Sequence, residues 1–156
     1  MDKDTIKREH FIFGCLFLLA NRLQVIGDRL DKDITMKQWF LMVMISQWKE
    51  DPPMLSEVAD FIGSSRQNVK QLALKLEKRG FLSIEKDEKD SRILRLRLTK
   101  KCEEFFKARE DREEKYLEYV YDNFTEEEMN SLYKCMYKLS ENIFKLDELS
   151  KGGPIV

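Results

Sequence analysis

The chain has 156 residues, 42% of them hydrophobic, with 28 lysines and arginines against 29 acidic residues. That is enough apolar content for one domain with an adequate core, and a formal charge of −1 by itself points to no nucleic-acid partner. Three cysteines without a CxxC pair, and the single histidine His10, exclude a disulfide framework, a structural zinc site and any Ser/His or Cys/His hydrolase, and fit a reducing cytoplasm. With no phosphate-cradling glycine loop either, neither an enzyme nor a cofactor is expected.

A first helix is expected from about Thr5 to Leu30, where Ile12, Leu16, Leu19, Leu23, Ile26 and Leu30 recur at steps of four and three. Phe11, Cys15, Leu18 and Val25 widen that stripe beyond what one neighbouring helix covers. The run Phe11 to Ala20 follows Lys7 and Arg8 as a signal-peptide core would, but Asp2, Asp4 and Glu9 spoil the leader and no small-residue cleavage site follows. At ten residues that run is too short for a bilayer, so no membrane is expected. A second helix begins at the capping box Thr35-Met36-Lys37-Gln38. It carries Trp39, Phe40, Met42, Val43, Met44 and Ile45, apolar nearly all round as a central helix should be, and Asp51-Pro52-Pro53 is expected to end it.

From Leu55 to Thr99 the pattern is helix, tight turn, helix, then two short strands around a charged loop. Leu55, Val58, Ala59 and Ile62 form the buried stripe of the first of these helices, and Gly63 stands where a left-handed residue is wanted at its end. Ser64 or Ser65 caps the next helix, with Gln67 or Asn68 three residues on. Val69, Leu72, Ala73 and Leu76 face inward there, leaving Arg66, Gln67, Asn68, Lys70 and Gln71 on the outer side of the first turns, with Lys75 one turn further. Such donors and amides read base edges and hold phosphates when a helix enters a DNA major groove. After Leu76-Glu77-Lys78-Arg79-Gly80-Phe81-Leu82 the chain alternates. Leu82, Ile84 and, after the loop, Ile93, Leu94, Leu96 and Leu98 flank Arg95 and Arg97 at period two, a half-buried hairpin with its arginines outward.

The charge distribution supports a DNA-facing surface. Residues 63–101 hold 12 lysines and arginines against 5 acids, a balance of +7, which leaves −8 for the rest of the chain. A basic block on an acidic body favours phosphate contact through one face.

These residues resemble the MarR family of winged-helix regulators. Its wing carries an acidic-x-basic signature, here Asp90-Ser91-Arg92, followed by an alternating strand that ends in Leu98-Thr99, and LEKRGFL is similar to the family's helix-end motif. The family often has a second arginine where Ser91 stands, so minor-groove contact here rests on Arg92. The resemblance implies that Arg92 reaches into the minor groove, that Asp90 orients it, and that Ser64, Ser65, Arg66, Gln67, Asn68, Lys70, Gln71, Lys75, Asp90, Arg92 and Arg95 make up the DNA-binding set.

Beyond the hairpin, Lys100 to Asn123 reads as one charged helix with Phe105, Phe106, Tyr116, Leu117, Val120 and Tyr121. A second capping box, Thr125 to Glu128, opens a last helix with Met129, Leu132, Met136, Leu139, Ile143 and Leu146 in 3-4 spacing. The expected fold is therefore mainly α with a small β-hairpin wing. One winged helix-turn-helix lobe covers 34–100, dimerisation helices cover 1–33 and 101–148, and a flexible tail covers 149–156. The resemblance implies a homodimeric repressor on double-stranded DNA with a pseudo-palindromic operator, released when a small aromatic or amphipathic effector enters a crevice lined by Phe13, Phe17, Trp39, Met42 and Met44. Two other readings stay open: a thiol-sensing regulator built on Cys15, whose apolar neighbours Gly14, Leu16, Phe17 and Leu18 would blunt its reactivity, and a winged helix whose basic face docks an acidic protein.

Overall fold

The computed structural model describes residues 7–153. Its elements are α1 (Arg8–Leu30), α2 (Met36–Ile45), α3 (Leu55–Phe61), α4 (Arg66–Lys78), β1 (Leu82–Lys86), β2 (Leu94–Leu98), α5 (Lys100–Lys107), α6 (Glu110–Val120) and α7 (Glu126–Lys151). The chain divides into two compact units, residues 1–108 and 109–156.

The core of the first unit is built where apolar stripes of short elements meet. Leu41, Met42 and Ile45 of α2, Leu55, Val58 and Ala59 of α3, Val69, Ala73 and Leu76 of α4, Leu82 and Leu96 of the hairpin, and Cys102 of α5 are all buried. Phe105 packs edge to face on Phe81, ring centroids 4.9 Å apart, and joins α5 to that core. The α2 capping box forms as the sequence predicts: the Thr35 hydroxyl accepts from Gln38 N at 3.3 Å and Gln38 Oε1 accepts from Thr35 N at 3.0 Å. A further cap comes from α1, where Asp28 Oδ1 accepts from Met36 N at 2.7 Å. Gly27 packs against the Met36 side chain, whose Cε would have to shift if the residue carried a Cβ.

Both helix ends around the turn motif close in the same way. Gly63, at φ +65°, donates to Asp60 O while Ser64 N donates to Ala59 O at 2.9 Å; Gly80, at φ +77°, donates to Glu77 O while Phe81 N donates to Leu76 O at 3.0 Å. Each is the two-bond termination that needs a left-handed residue, which glycine adopts without Cβ strain. At the second one the buried pair Leu76 and Phe81 adds the apolar contact that usually accompanies it. The strands pair antiparallel with Leu82 opposite Leu98, Ile84 opposite Leu96 and Lys86 opposite Leu94. Met54 adds an isolated bridge to Arg95, and Leu96 N donates to Pro53 O at 2.9 Å, so the segment entering α3 lies along β2.

Several boundaries differ from expectation. Helix α2 stops at Ile45 rather than at Asp51, because Ser46 Oγ and Gln47 Nε2 turn back to donate to Val43 O at 2.7 and 3.3 Å. The single helix expected from Lys100 to Asn123 is two, broken at Ala108 and Arg109. Between Phe106 and Tyr116 the only apolar side chain is Ala108, so nothing holds a continuous helix against a core there. Helix α7 runs to Lys151, three residues into the tail expected at 149, and the positions expected as helix at Thr5 and Ile6 lie outside the described residues.

Helix α1 buries only Gly27, and Phe11, Ile12, Phe13, Phe17, Leu18 and Leu19 are each more than half exposed. By length and composition it is long and apolar enough to cross a membrane, with a mean hydropathy of 1.4 over its best window. The expectation that Phe11 to Ala20 is too short counted the run up to Ala20 only, whereas Leu23, Val25 and Ile26 extend the apolar content of the same helix. In the second unit neither α6 nor α7 has a buried residue, and Met136, Ile143 and Leu146 of the expected seam are about half exposed.

Candidate nucleic-acid interface

Helix α4 is positioned from within. Val69, Ala73 and Leu76 are fully buried against the core, which fixes the helix's rotation and turns the polar residues of its first turns outward. Of the two candidate caps, Ser65 is the one used, its hydroxyl accepting from Asn68 N at 3.2 Å, while Ser64 serves the preceding turn through its backbone N–H. Arg66, Gln67, Asn68, Lys70, Gln71 and Lys75 are all exposed, as expected of a reading face.

The structure divides these residues between two flanks. Arg66, Gln67, Lys70 and Gln71 line a groove between α4, the start of α3 and the wing, together with Leu55, Ser56, Leu74, Arg92, Ile93 and Leu94. Asn68 and Lys75, seven residues apart, share the other exposed flank at 100° per residue. Leu74 and Ser56 escaped the sequence reading, and Ile93 was read only as a hairpin residue: Leu74 looks like a core leucine by type, yet it is 41% exposed because its position falls outside the Val69, Ala73, Leu76 stripe.

At the wing tip the Asp90 carboxylate takes the Arg92 guanidinium bidentately, Nε at 2.9 Å and Nη2 at 2.8 Å, and also accepts from Arg92 N at 3.0 Å. The Arg92 side chain is 89% exposed, so the pairing aims the cation without covering it. Hydrogen bonds from Arg92 hold the Asp90 carboxyl below the usual carboxylate range.

Arg95 departs from the expectation of an outward phosphate contact. Its Nε is hydrogen-bonded to Asp87 Oδ2 and its Nη1 donates to Pro52 O at 2.7 Å, leaving the side chain 31% exposed. The Arg95 cation is thus paired with Asp87 and tied to Pro52 O, which fastens the base of the wing to the segment entering α3. Arg97 does point outward, paired with Glu85 at 3.1 Å. Other scaffold roles were also missed from sequence. Glu77 Oε1 accepts from Ile84 N at 2.7 Å, tying α4 to β1. Arg79 donates to Asp33 O and lies over the Phe81 ring, 5.2 Å from its centroid, with Lys101 Nζ 5.0 Å from the same centroid. Thr99 Oγ1 donates to Gly80 O at 2.6 Å and accepts from Cys102 N, which gives the Leu98-Thr99 ending its physical reason.

The residues expected at an effector crevice fare unevenly. Phe13 and Phe17 are exposed and pack edge to face, centroids 5.2 Å apart, and Trp39 and Met44 are half-buried. Met42 has no surface to offer, being fully buried with its Sδ 3.5 Å from Cys102 Sγ, and it is a core residue. Cys15 is half-buried on α1. Among the described residues no group of three or more His, Cys, Asp or Glu side chains forms a metal site.

The sequence model of the MarR family matches residues 34–94, which span α2 to the first residue of β2 and so hold the whole groove. Transcriptional repressor MprA of Escherichia coli is 30% identical over 101 residues, 65% of this chain. A MarR-family domain therefore covers residues 34–94 of this chain. The match to MprA spans 56% of the length of that curated relative. Solved MarR folds cover far more of the chain. A MarR protein from Peptoclostridium difficile superposes with TM-score 0.77 over 94% of this chain and 99% of its own, at 24% identity. FabT of Streptococcus pneumoniae, solved in complex with DNA, superposes with TM-score 0.65 over 88% and 99%, also at 24%. At these identities the likeness is one of fold, and it places a helix-turn-helix with a hairpin wing where α3, α4, β1 and β2 stand.

Proposed function

We propose that this chain is a sequence-specific regulator of transcription that binds double-stranded DNA through α4 and the wing. The observation that carries the proposal is the groove, in which Arg66, Gln67, Lys70 and Gln71 of one helix face converge with the aimed Arg92 of the wing. Uncharged amides among cations are the chemistry of base reading combined with phosphate holding. The name of MprA and the DNA complex of FabT favour DNA over an acidic protein as the partner. MprA's name also favours repression, and a regulator that binds DNA would act in the cytoplasm.

A homodimer is part of the same proposal. The apolar faces of α1 and α7 exceed what soluble monomers leave open, and a second copy is the occupant that suits α1, since Asn21, Arg22, Gln24 and Asp28 would otherwise lie in hydrocarbon. Two α4 helices about 34 Å apart then require a pseudo-palindromic operator. The exposed pair Phe13 and Phe17 is the aromatic surface a small aromatic or amphipathic effector would use to release DNA. The test is selection of bound fragments from a random duplex library by the purified chain. Enrichment of a two-fold motif supports the reading, and recovery of unenriched sequence refutes it.

A further inference from the structure

We propose that Asp87 and Arg95 are positioning residues that hold Arg92 ready for DNA, an inference that rests on the DNA reading above. A chain of charge-assisted hydrogen bonds runs from the segment entering α3 to the wing tip. Arg95 Nη1 donates to Pro52 O at 2.7 Å, and its Nε is bonded to Asp87 Oδ2. The other Asp87 oxygen accepts from Lys89 N at 2.9 Å and from Asp90 N at 3.1 Å, closing the turn from inside. That fixes Asp90, whose carboxylate takes Nε and Nη2 of Arg92 at 2.9 and 2.8 Å. The side chains are 89% exposed at Arg92, 32% at Asp90, 10% at Asp87 and 31% at Arg95, so the carboxylate at the centre of the anchor is shielded while the tip is presented. A two-stranded ribbon with a long turn frays on its own. Here the anchor ties the tip to the α3 entry, and hence to α4, so Arg92 need not be ordered at the moment of binding.

Simple electrostatics and this role predict opposite signs, which makes the test sharp. Asp87→Asn removes a negative charge from the face that meets phosphate, so charge alone strengthens binding. Positioning predicts the reverse: affinity for the duplex selected by the wild type falls about threefold or more. Arg92→Ala falls about fivefold, and the double variant is no weaker than Arg92→Ala alone. Glu88→Gln, an exposed acid in the same turn, serves as the charge control and binds as well as wild type or slightly better. A second arm needs no DNA. The Nε–H resonance of Arg92 in the free, ¹⁵N-labelled protein is ordered in wild type and becomes mobile in Asp87→Asn. Arg95→Lys, which keeps a cation but cannot reach Asp87 and Pro52 together, has the same effect. Asp87→Asn binding as tightly as Glu88→Gln, an additive double variant, or an Arg92 signal unmoved by both substitutions overturns the proposal. Failure of the wild type to select any duplex sinks the DNA reading instead, and the Arg92 resonance still decides whether the anchor orders the tip.

Discussion

Lys70 and Arg95 look alike in sequence, two cations in the basic block, yet their surroundings predict different salt behaviour. Lys70 is exposed on α4 in the groove, whereas Arg95 is paired with Asp87 and Pro52 O. Each phosphate neutralised on duplex DNA contributes about −0.9 to the slope of log K against log salt. Lys70→Ala should therefore make the slope about 0.9 shallower. Taking the electrostatic gain as vanishing near 1 M salt, the same exponent makes the loss at 0.1 M about eightfold, or roughly 1.2 kcal/mol. Arg95→Ala should leave the slope as it is and lower affinity by a similar factor at every salt concentration, because its loss acts through wing order. Fluorescence anisotropy with a labelled duplex, titrated over about 0.05 to 0.3 M salt, separates the two patterns. A full unit lost from the slope in Arg95→Ala, or none in Lys70→Ala, refutes the assignment.

Cys102 is fully buried and its thiol is pushed up to about 11 by burial, so a thiol reagent at neutral pH should label exposed Cys135 at once and reach Cys102 only on unfolding. Thr99→Val removes the cap of α5 and the bond to Gly80 O, and should cost about 1–2 kcal/mol and lower the melting temperature by about 2–8 °C. Hydrogen bonds, from Arg95 to Asp87 and from Arg92 to Asp90, depress both carboxyls. Their contribution to wing order is thus complete above the ordinary carboxylate value near 4 and is lost only as pH falls through the lower folded values, which amide exchange of Lys89 and Asp90 against pH will show. Sedimentation should give a dimer without DNA at micromolar concentration, and a stable monomer there removes the proposed role of α1 and α7.

Much of this was legible because local signals and tertiary demands agree. Gly63 and Gly80 mark helix ends that need a left-handed residue, Thr35 and Thr125 open capping boxes, and the Leu82 to Leu98 alternation gives the hairpin its register. The spacing of Val69, Ala73 and Leu76 alone predicts which side of α4 faces out. What was not legible depends on distant partners. Arg95 reads as one more outward arginine until Pro52, 43 residues earlier, is seen to lie beside it. Met42 reads like Met44 on a helix apolar all round, and only the approach of Cys102 from α5 settles that it is core. Leu74 is apolar by type and exposed by position, a conflict that no residue type announces.

The most direct test of the central claim is whether α4 reads bases. Gln67 and Asn68 are exposed in its first turns and carry no charge, so removing either side chain leaves the phosphate attraction in place. Affinities of wild type, Gln67→Ala and Asn68→Ala are measured on the selected operator and on its scrambled counterpart at one salt concentration. A bidentate amide contact to adenine carries about 1–3 kcal/mol of discrimination. Gln67→Ala should accordingly lose about tenfold on the operator and almost nothing on the scrambled duplex, with the salt slope unchanged. Wild-type operator-to-scrambled ratios in both variants would contradict base reading by this helix.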